Sequence, residues 1–345
     1  MPYRIAINGL GRIGRCVLRA LYESTDYPQL RIVAVNDLAD IGTLAHLLRY
    51  DSTHGRFLGR VNQLDQALEI DGDTVQVFHH PDPGELPWAR LDVDLVMECT
   101  GTFSDRPTAN LHLQAGARKV LFSQPAERDV DATLVYGINH QALTGQETVL
   151  SNASCTTNAI IPVIRAIDKA LGIGNGVITT IHSAMNDQPV IDAYHHNDLR
   201  KTRSAMQSII PVETEIARGI GRILPGLENR FEAYAVRVPT VNVSAIDLTL
   251  VVEKSCSVET VNNLIRAESG QLPLNILGYT EEPLASCDFN HDPRSAIVDL
   301  SFTRVSGSRL VKLLIWFDNE WAYANRMLDV AQYLAESVTR QADAR

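Results

Sequence analysis

The feature that most constrains the fold is Gly9-Leu10-Gly11-Arg12-Ile13-Gly14, because of where it stands. It closes a short alternating strand over residues 4–8 and opens a helical pattern over 12–22. A glycine-rich turn in that context is a dinucleotide-binding arrangement. Gly9 permits the tight turn, Gly11 the close approach of a pyrophosphate, and Gly14 close packing of helix on strand. The backbone N–H groups of Arg12 and Ile13 would face phosphates at the positive end of the helix. A second strand, over 31–36, ends at Asp37, 23 positions beyond Gly14 and close to the ~20 expected for a ribose-binding acid. A carboxylate there accepts from both ribose hydroxyls and repels the extra phosphate of NADP, so NAD is the expected cofactor.

The texture around this motif fixes the expected class. Candidate strands at 74–78, 95–99, 119–123 and 133–136 alternate with helical segments at 39–48 and 107–115. Strands that alternate with helices imply a doubly wound parallel sheet, an α/β Rossmann domain. After Asn152 the pattern changes. A helix over Cys155–Leu171 precedes longer strand runs at 176–182, 231–238, 244–253, 295–299 and 311–316. Direct strand-to-strand connections there predict a mixed, mostly antiparallel α+β domain. Residues 187–210 are long and polar and read as an irregular loop. Residues 320–338 carry apolar side chains at helical spacing, and this helix is expected to return to the first domain. The predicted division is 1–152 with 319–345 as the NAD-binding domain and 153–318 as the catalytic domain.

Charge and cysteine usage narrow the function classes. The 345 residues carry a formal net charge of −10, which argues against nucleic acid as a partner. An anionic substrate would then need arginines gathered locally against the average field. No apolar run approaches the ~18 residues of a membrane span, and the chain begins directly on a strand, so no membrane partner and a cytoplasmic location are expected. The five cysteines, Cys16, Cys99, Cys155, Cys256 and Cys287, include no Cys-x-x-Cys pair. They read as reduced thiols without a disulfide or metal framework.

Cys155 stands out among them. Ser151-Asn152-Ala153-Ser154-Cys155-Thr156-Thr157-Asn158 joins a strand-like run to a helix and is rich in capping residues. A cysteine at a helix N-terminus is expected to have a lowered pKa, because the helix dipole favours thiolate. His182 ends the following strand and could take a proton from Cys155 and later activate water. Taken alone, a histidine there is more often structural. Cys16, Cys99, Cys256 and Cys287 fall in helix or strand patterns and read as buried packing residues, and His79-His80 and His195-His196 as loop surface.

These segments, with Trp316-Phe317-Asp318-Asn319-Glu320, resemble the glyceraldehyde-3-phosphate dehydrogenase family in order along essentially the whole chain. The resemblance implies that Cys155 is the nucleophile and His182 its base. It also implies a cofactor site of Gly9, Gly11, Arg12, Ile13, Gly14, Asp37, Ser123, Asn319 and Tyr323. Asn319 would orient the nicotinamide carboxamide, and Tyr323 would pack near that ring. Arg203 and Arg237 match the family's anion-binding arginines, and Ser154, Thr156 and Thr214 the polar groups beside them. A sugar-phosphate substrate and a homotetramer follow from the same resemblance.

Several positions depart from the triose-phosphate enzymes. His182 is followed by Ser183-Ala184-Met185-Asn186-Asp187-Gln188, with Met185 where a phosphate-binding threonine is usual. A thioether donates no hydrogen bond, and Asp187 adds a negative charge. Glu215 follows Thr214 where glycine is usual. These departures, with residues 191–195 and 289–298, resemble the erythrose-4-phosphate dehydrogenase branch. That branch implies oxidation of D-erythrose 4-phosphate to 4-phosphoerythronate, a step toward pyridoxal phosphate, with water as acyl acceptor. The alternatives are a phosphorylating glyceraldehyde-3-phosphate dehydrogenase, a semialdehyde dehydrogenase of similar architecture, and a non-catalytic NAD-binding protein.

Overall fold

A computed structural model describes residues 2–195, 198–273 and 275–343. His196 lies outside them. The chain forms two compact units, one running to Ser154 and resuming at Tyr323, the other Cys155–Ala322.

The first unit begins with β1 (Tyr3–Asn8), α1 (Arg12–Glu23), β2 (Leu30–Asn36) and α2 (Ile41–Arg49). A small hairpin of β3 (Tyr50–Asp51) and β4 (Gly55–Arg56) precedes β5 (Val61–Gln63), β6 (Ala67–Ile70) and β7 (Asp73–Phe78). Then come β8 (Leu95–Glu98), α3 (Arg106–Gln114), β9 (Lys119–Phe122), β10 (Ala132–Thr133) and β11 (Val149–Ser151). Nine of these strands make one sheet in the order β10-β11-β9-β8-β1-β2-β7-β6-β5. Pairing is parallel from β10 to β7, and β7, β6 and β5 close the edge antiparallel. This is a parallel-dominated Rossmann sheet. Strand order reverses at β1, between β2 and β8, so the crevice beyond their carboxyl ends is where such sheets take ligands. Alternation of Ile5, Ala6 and Ile7 buries both faces of β1, as a central parallel strand requires. Ala109 of α3 shares one buried core cluster with Ala6, Val96 and Val120.

The second unit opens with α4 (Cys155–Leu171) and β12 (Ile173–His182), followed by β13 (Ile210–Val212), α5 (Ile216–Ile223), β14 (Phe231–Arg237) and β15 (Ser244–Val252). It continues through α6 (Val258–Ser269), β16 (Leu277–Thr280), β17 (Ala296–Asp299), β18 (Arg304–Ser306) and β19 (Leu310–Phe317). The sheet order is β13-β14-β12-β15-β19-β17-β16, with β18 on β19. Only β12–β14 and β16–β17 are parallel, so the sheet is mixed and mostly antiparallel. The α4 side chains Ile160, Ile164, Ile167 and Leu171 are buried and face β12, β15, β17 and β19. The last helix, α7 (Trp321–Asp343), belongs to the first unit from Tyr323 onward. The Tyr27 hydroxyl donates to Asp329 there at 3.0 Å.

Some sequence expectations fail. The strand read over 133–136 is only Ala132–Thr133, because the chain turns at Gly137, φ +82°. The β5–β6 edge pair and helices α5 and α6 were not anticipated. Cys16 and Cys99 are buried, but Cys256 is only half-buried, between β15 and α6, and Cys287 is exposed on a 3-10 turn. The apolar runs beside those two cysteines end before reaching them.

Candidate active site

The spacing of Cys155 and His182 follows from element lengths. The 17 residues of α4 rise about 25 Å at ~1.5 Å each. Gly172 then takes φ +69°, a left-handed turn that suits glycine. The 10 residues of β12 return about 33 Å at ~3.3 Å each. His182 therefore comes back to the N-terminus of α4, where Cys155 is the first residue. The Cys155 Sγ lies 3.7 Å from His182 Nε2 and 3.9 Å from Thr156 Oγ1.

The histidine's tautomer is set by its other nitrogen. Nδ1 is 2.8 Å from the Ser183 carbonyl oxygen, which can only accept. Nδ1 therefore carries the proton and Nε2 presents a lone pair to the thiol. Burial lowers the His182 pKa, and the Arg237 guanidinium lowers it further, against the Ser183 contact and the Asp187 and Glu320 carboxylates. Burial pushes the Cys155 thiol up to about 11, against hydrogen bonds from Thr156 and backbone N–H groups. That corrects the expectation of a lowered cysteine pKa. The helix N-terminus does pull toward thiolate, but removing the sulfur from water costs the charged form more.

Arg237 stands beside His182, its register partner across β12 and β14. Its Nη1 donates to Asp187 Oδ1 at 2.6 Å, and Lys201 Nζ reaches the other oxygen at 3.0 Å. Arg203 is 64% exposed and pairs with Asp192 at 2.8 Å. The two arginines therefore differ, one nearly buried beside the histidine and one in solvent. Thr156 is buried. Ser154 precedes Cys155, in the other unit. Thr214 precedes α5, its Oγ1 accepting from Ile216 N at 3.4 Å. Glu215 pairs with Arg218 in solvent, and Met185 is half-exposed.

Asn319 follows β19. Its Oδ1 accepts from the Ser183 and Ser244 hydroxyls at 3.0 and 2.8 Å, which leaves Nδ2 as the donor end of the amide. Asp318 locks that backbone. One of its oxygens accepts from Glu320 N and Trp321 N, the other from His291 N and Asn242 Nδ2. Sequence reasoning gave Asp318 no role: its bonds to Glu320 N and Trp321 N are an ordinary local turn, and those to His291 and Asn242 come from far along the chain and leave no local pattern.

In the first unit the glycine turn is held from behind. A Cβ on Gly9 would meet the Thr100 nitrogen at 2.6 Å, and one on Gly14 the Gly9 carbonyl oxygen at 2.1 Å. A Cβ on Gly11 would meet nothing within 4 Å. The first turn of α1 has no side-chain cap, so its N–H groups face that open cradle. Asp37 Oδ2 accepts from Leu10 N at 2.8 Å and Oδ1 from Ala39 N at 2.9 Å, which sets the acid beside the turn. Arg12 is tied to Asp51. Behind the turn, Glu98 accepts from Asn8 Nδ2 at 2.6 Å and Thr100 N at 2.9 Å, and His112 Nε2 lies 3.1 Å from it. Trp88 Nε1 donates to His112 Nδ1. Sequence reading missed this network, of which Asn8, Glu98, His112 and Trp88 are buried. Ser123 lies just past β9, its N–H on the Glu98 carbonyl, and the Tyr323 hydroxyl donates to the Ala153 carbonyl at 2.8 Å.

Comparison with known families matches residues 3–106 to the glyceraldehyde 3-phosphate dehydrogenase NAD binding domain and 154–319 to the glyceraldehyde 3-phosphate dehydrogenase C-terminal domain. The chain belongs to the glyceraldehyde 3-phosphate dehydrogenase family. It is an NAD-dependent dehydrogenase, with an NAD-binding Rossmann domain and a mixed-sheet catalytic domain. The open cradle at Gly11, the uncapped start of α1 and the carboxylate of Asp37 fit a dinucleotide's pyrophosphate and ribose. Among the described residues no helix is long and apolar enough to cross a membrane.

Proposed function

We propose that the protein oxidises D-erythrose 4-phosphate to 4-phosphoerythronate through a Cys155 thioester that water releases, a reaction that would feed pyridoxal phosphate synthesis. The observation that carries this reading is the Cys155–His182 pair, 3.7 Å apart with the Nε2 lone pair on the sulfur. His182 Nε2 takes the thiol proton as sulfur bonds to the aldehyde carbon. The oxyanion that forms is held by the Cys155 N–H and by the newly protonated Nε2. Bound NAD supplies the acceptor for the hydride that leaves the substrate carbon. In the first unit the turn at Gly11 would hold the cofactor's pyrophosphate and Asp37 its ribose; in the second, Asn319 Nδ2 would offer its carboxamide a donor. As the hydride leaves, the oxyanion collapses to the thioester carbonyl and His182 Nε2 gives the thiol's proton to solvent. The freed Nε2 then takes a proton from water, hydroxide adds to the thioester carbon, and the sulfur leaves as thiolate and recovers its proton from the imidazolium.

The four-carbon substrate is supported by Met185 and Asp187. A longer substrate carries its phosphate one carbon further from the sulfur than a triose does. Met185 withholds a donor where a triose phosphate would need one, while Arg237 and Arg203 remain for an anion. Chain length alone discriminates by roughly 10–200-fold. Steady-state kinetics with both aldehyde phosphates, with and without inorganic phosphate, test the reading. A higher kcat/KM for erythrose 4-phosphate and turnover without inorganic phosphate are expected. Efficient glyceraldehyde 3-phosphate oxidation with an absolute phosphate requirement would instead make it the phosphorylating enzyme.

A further inference from the structure

Arg237 is a cation that has almost left water, with 9% of its side chain exposed, and it stands beside the neutral His182. A nearly buried guanidinium needs a countercharge, and the chain supplies one, Asp187, at 2.6 Å. Asp187 itself is 40% exposed and lies on the segment after β12, with Lys201 on its outer oxygen at 3.0 Å. The carboxylate thus sits on the cation from the solvent side and can swing outward, keeping Lys201 as its partner, once an incoming anion takes its place on Arg237. We propose that Asp187 is a specificity-determining residue, an internal anion that occupies Arg237 against free phosphate and gives way only to a phosphate tethered through Cys155. This inference rests on the reading of Cys155 as the nucleophile.

The selection follows from how each competitor arrives. Asp187 is attached to the chain, so its local concentration at Arg237 is far above that of a free ion. Inorganic phosphate must displace it from solution and against a net charge of −10. A sugar phosphate joined to Cys155 is held near the site as Asp187 is, and its dianion makes stronger charge-assisted bonds than a carboxylate. The thioester therefore meets water rather than phosphate as acceptor, while the substrate's own phosphate still finds a partner. Lys201 and solvent take Asp187 when it is displaced.

Alkylation of Cys155 by two reagents reads this directly. Iodoacetamide is neutral and iodoacetate carries one negative charge. Both react with the same thiolate, so their rate ratio cancels any change in thiolate fraction and reports the potential beside the sulfur. Asp187→Asn is expected to raise the iodoacetate-to-iodoacetamide ratio about fivefold, the scale of one partly screened charge contact. Asp187→Glu keeps the charge and should leave the ratio as in wild type. In the wild-type holoenzyme, inorganic phosphate should leave iodoacetate alkylation unchanged, whereas in Asp187→Asn it should slow it. An unchanged ratio in Asp187→Asn, or phosphate protection of Cys155 in wild type, overturns the inference and leaves the covalent reading intact. Absence of alkylation at Cys155 in the native enzyme overturns both.

Discussion

At the scale of single residues, the resting site stores its reactivity as a neutral pair. Burial raises Cys155 and lowers His182, so both environments favour the uncharged forms and the proton rests on sulfur. The attack then needs transfer of one proton across the Sγ–Nε2 contact, a charge separation that an arriving carbonyl consumes as the C–S bond forms. Cys155→Ala should abolish oxidation while leaving NAD bound, and His182→Asn should slow the reaction by roughly 10²–10⁴. Single-turnover rates should show both acylation and release slowed, and an unchanged rate in both steps would make His182 structural. Activity in wild type should fall only well into the acid range, as the depressed His182 gains a proton. Stability carries both signs. The folded state resists protonating His182, so stability is lost as pH falls below the ordinary 6.5. It also keeps the Cys155 proton that the unfolded chain releases near 9.0, so stability is lost as pH rises from there toward about 11. The partners were legible in the sequence, since their spacing is the length of one helix and one strand. The direction of the cysteine shift was not, because desolvation depends on strands that arrive from elsewhere in the chain.

At the scale of elements, the cofactor end of the molecule is one turn braced from two sides. Asp37 ties the end of β2 to Leu10, and Glu98 ties β8 to Asn8 and Thr100, whose backbone abuts Gly9. Asp37→Ala thus removes a ribose acceptor and loosens the glycine turn at once. Titration calorimetry is expected to show about tenfold weaker NAD binding, the scale of one lost charge-assisted hydrogen bond. It should also show a smaller preference over NADP, since the repulsion of the extra phosphate goes with the carboxylate. Equal NAD and NADP affinity in wild type would sink the assignment. The glycines, the strand before them and the acid after them were readable because each has a local spacing rule. The Glu98–His112–Trp88 network was not, because its members come from three elements and share only burial. Helix α6 is the opposite case. Its cap, Ser257 accepting from Thr260 N, and its apolar Val258, Val261, Leu264 and Ile265 at helical spacing are ordinary local signals, so this helix was legible and was overlooked.

At the scale of the whole molecule, the catalytic unit has one sheet face covered and one bare. Register places Val177, Tyr234, Val251 and Leu310 on the same side of adjacent strands, and each is 41–52% exposed. The opposite side, with Ile178, Leu248, Leu250 and Leu313, is buried. A bare face that mixes these apolar side chains with Asp247 and Lys312 fits a surface that another copy covers. Alternation along the strands made the buried side readable in advance, but the same alternation reads as solvent-facing on the other side, so nothing local marked an interface. We expect the homotetramer that the family resemblance implies, with this face in a subunit contact that is self-complementary about a two-fold axis. Light scattering should give about four times the chain mass of 38.1 kDa. Tyr234→Glu, which buries a charge opposite its own copy, should shift the population to smaller species while circular dichroism of the subunit is retained. A wild-type monomer would remove the interface altogether, and an undisturbed Tyr234→Glu tetramer would move it to another face.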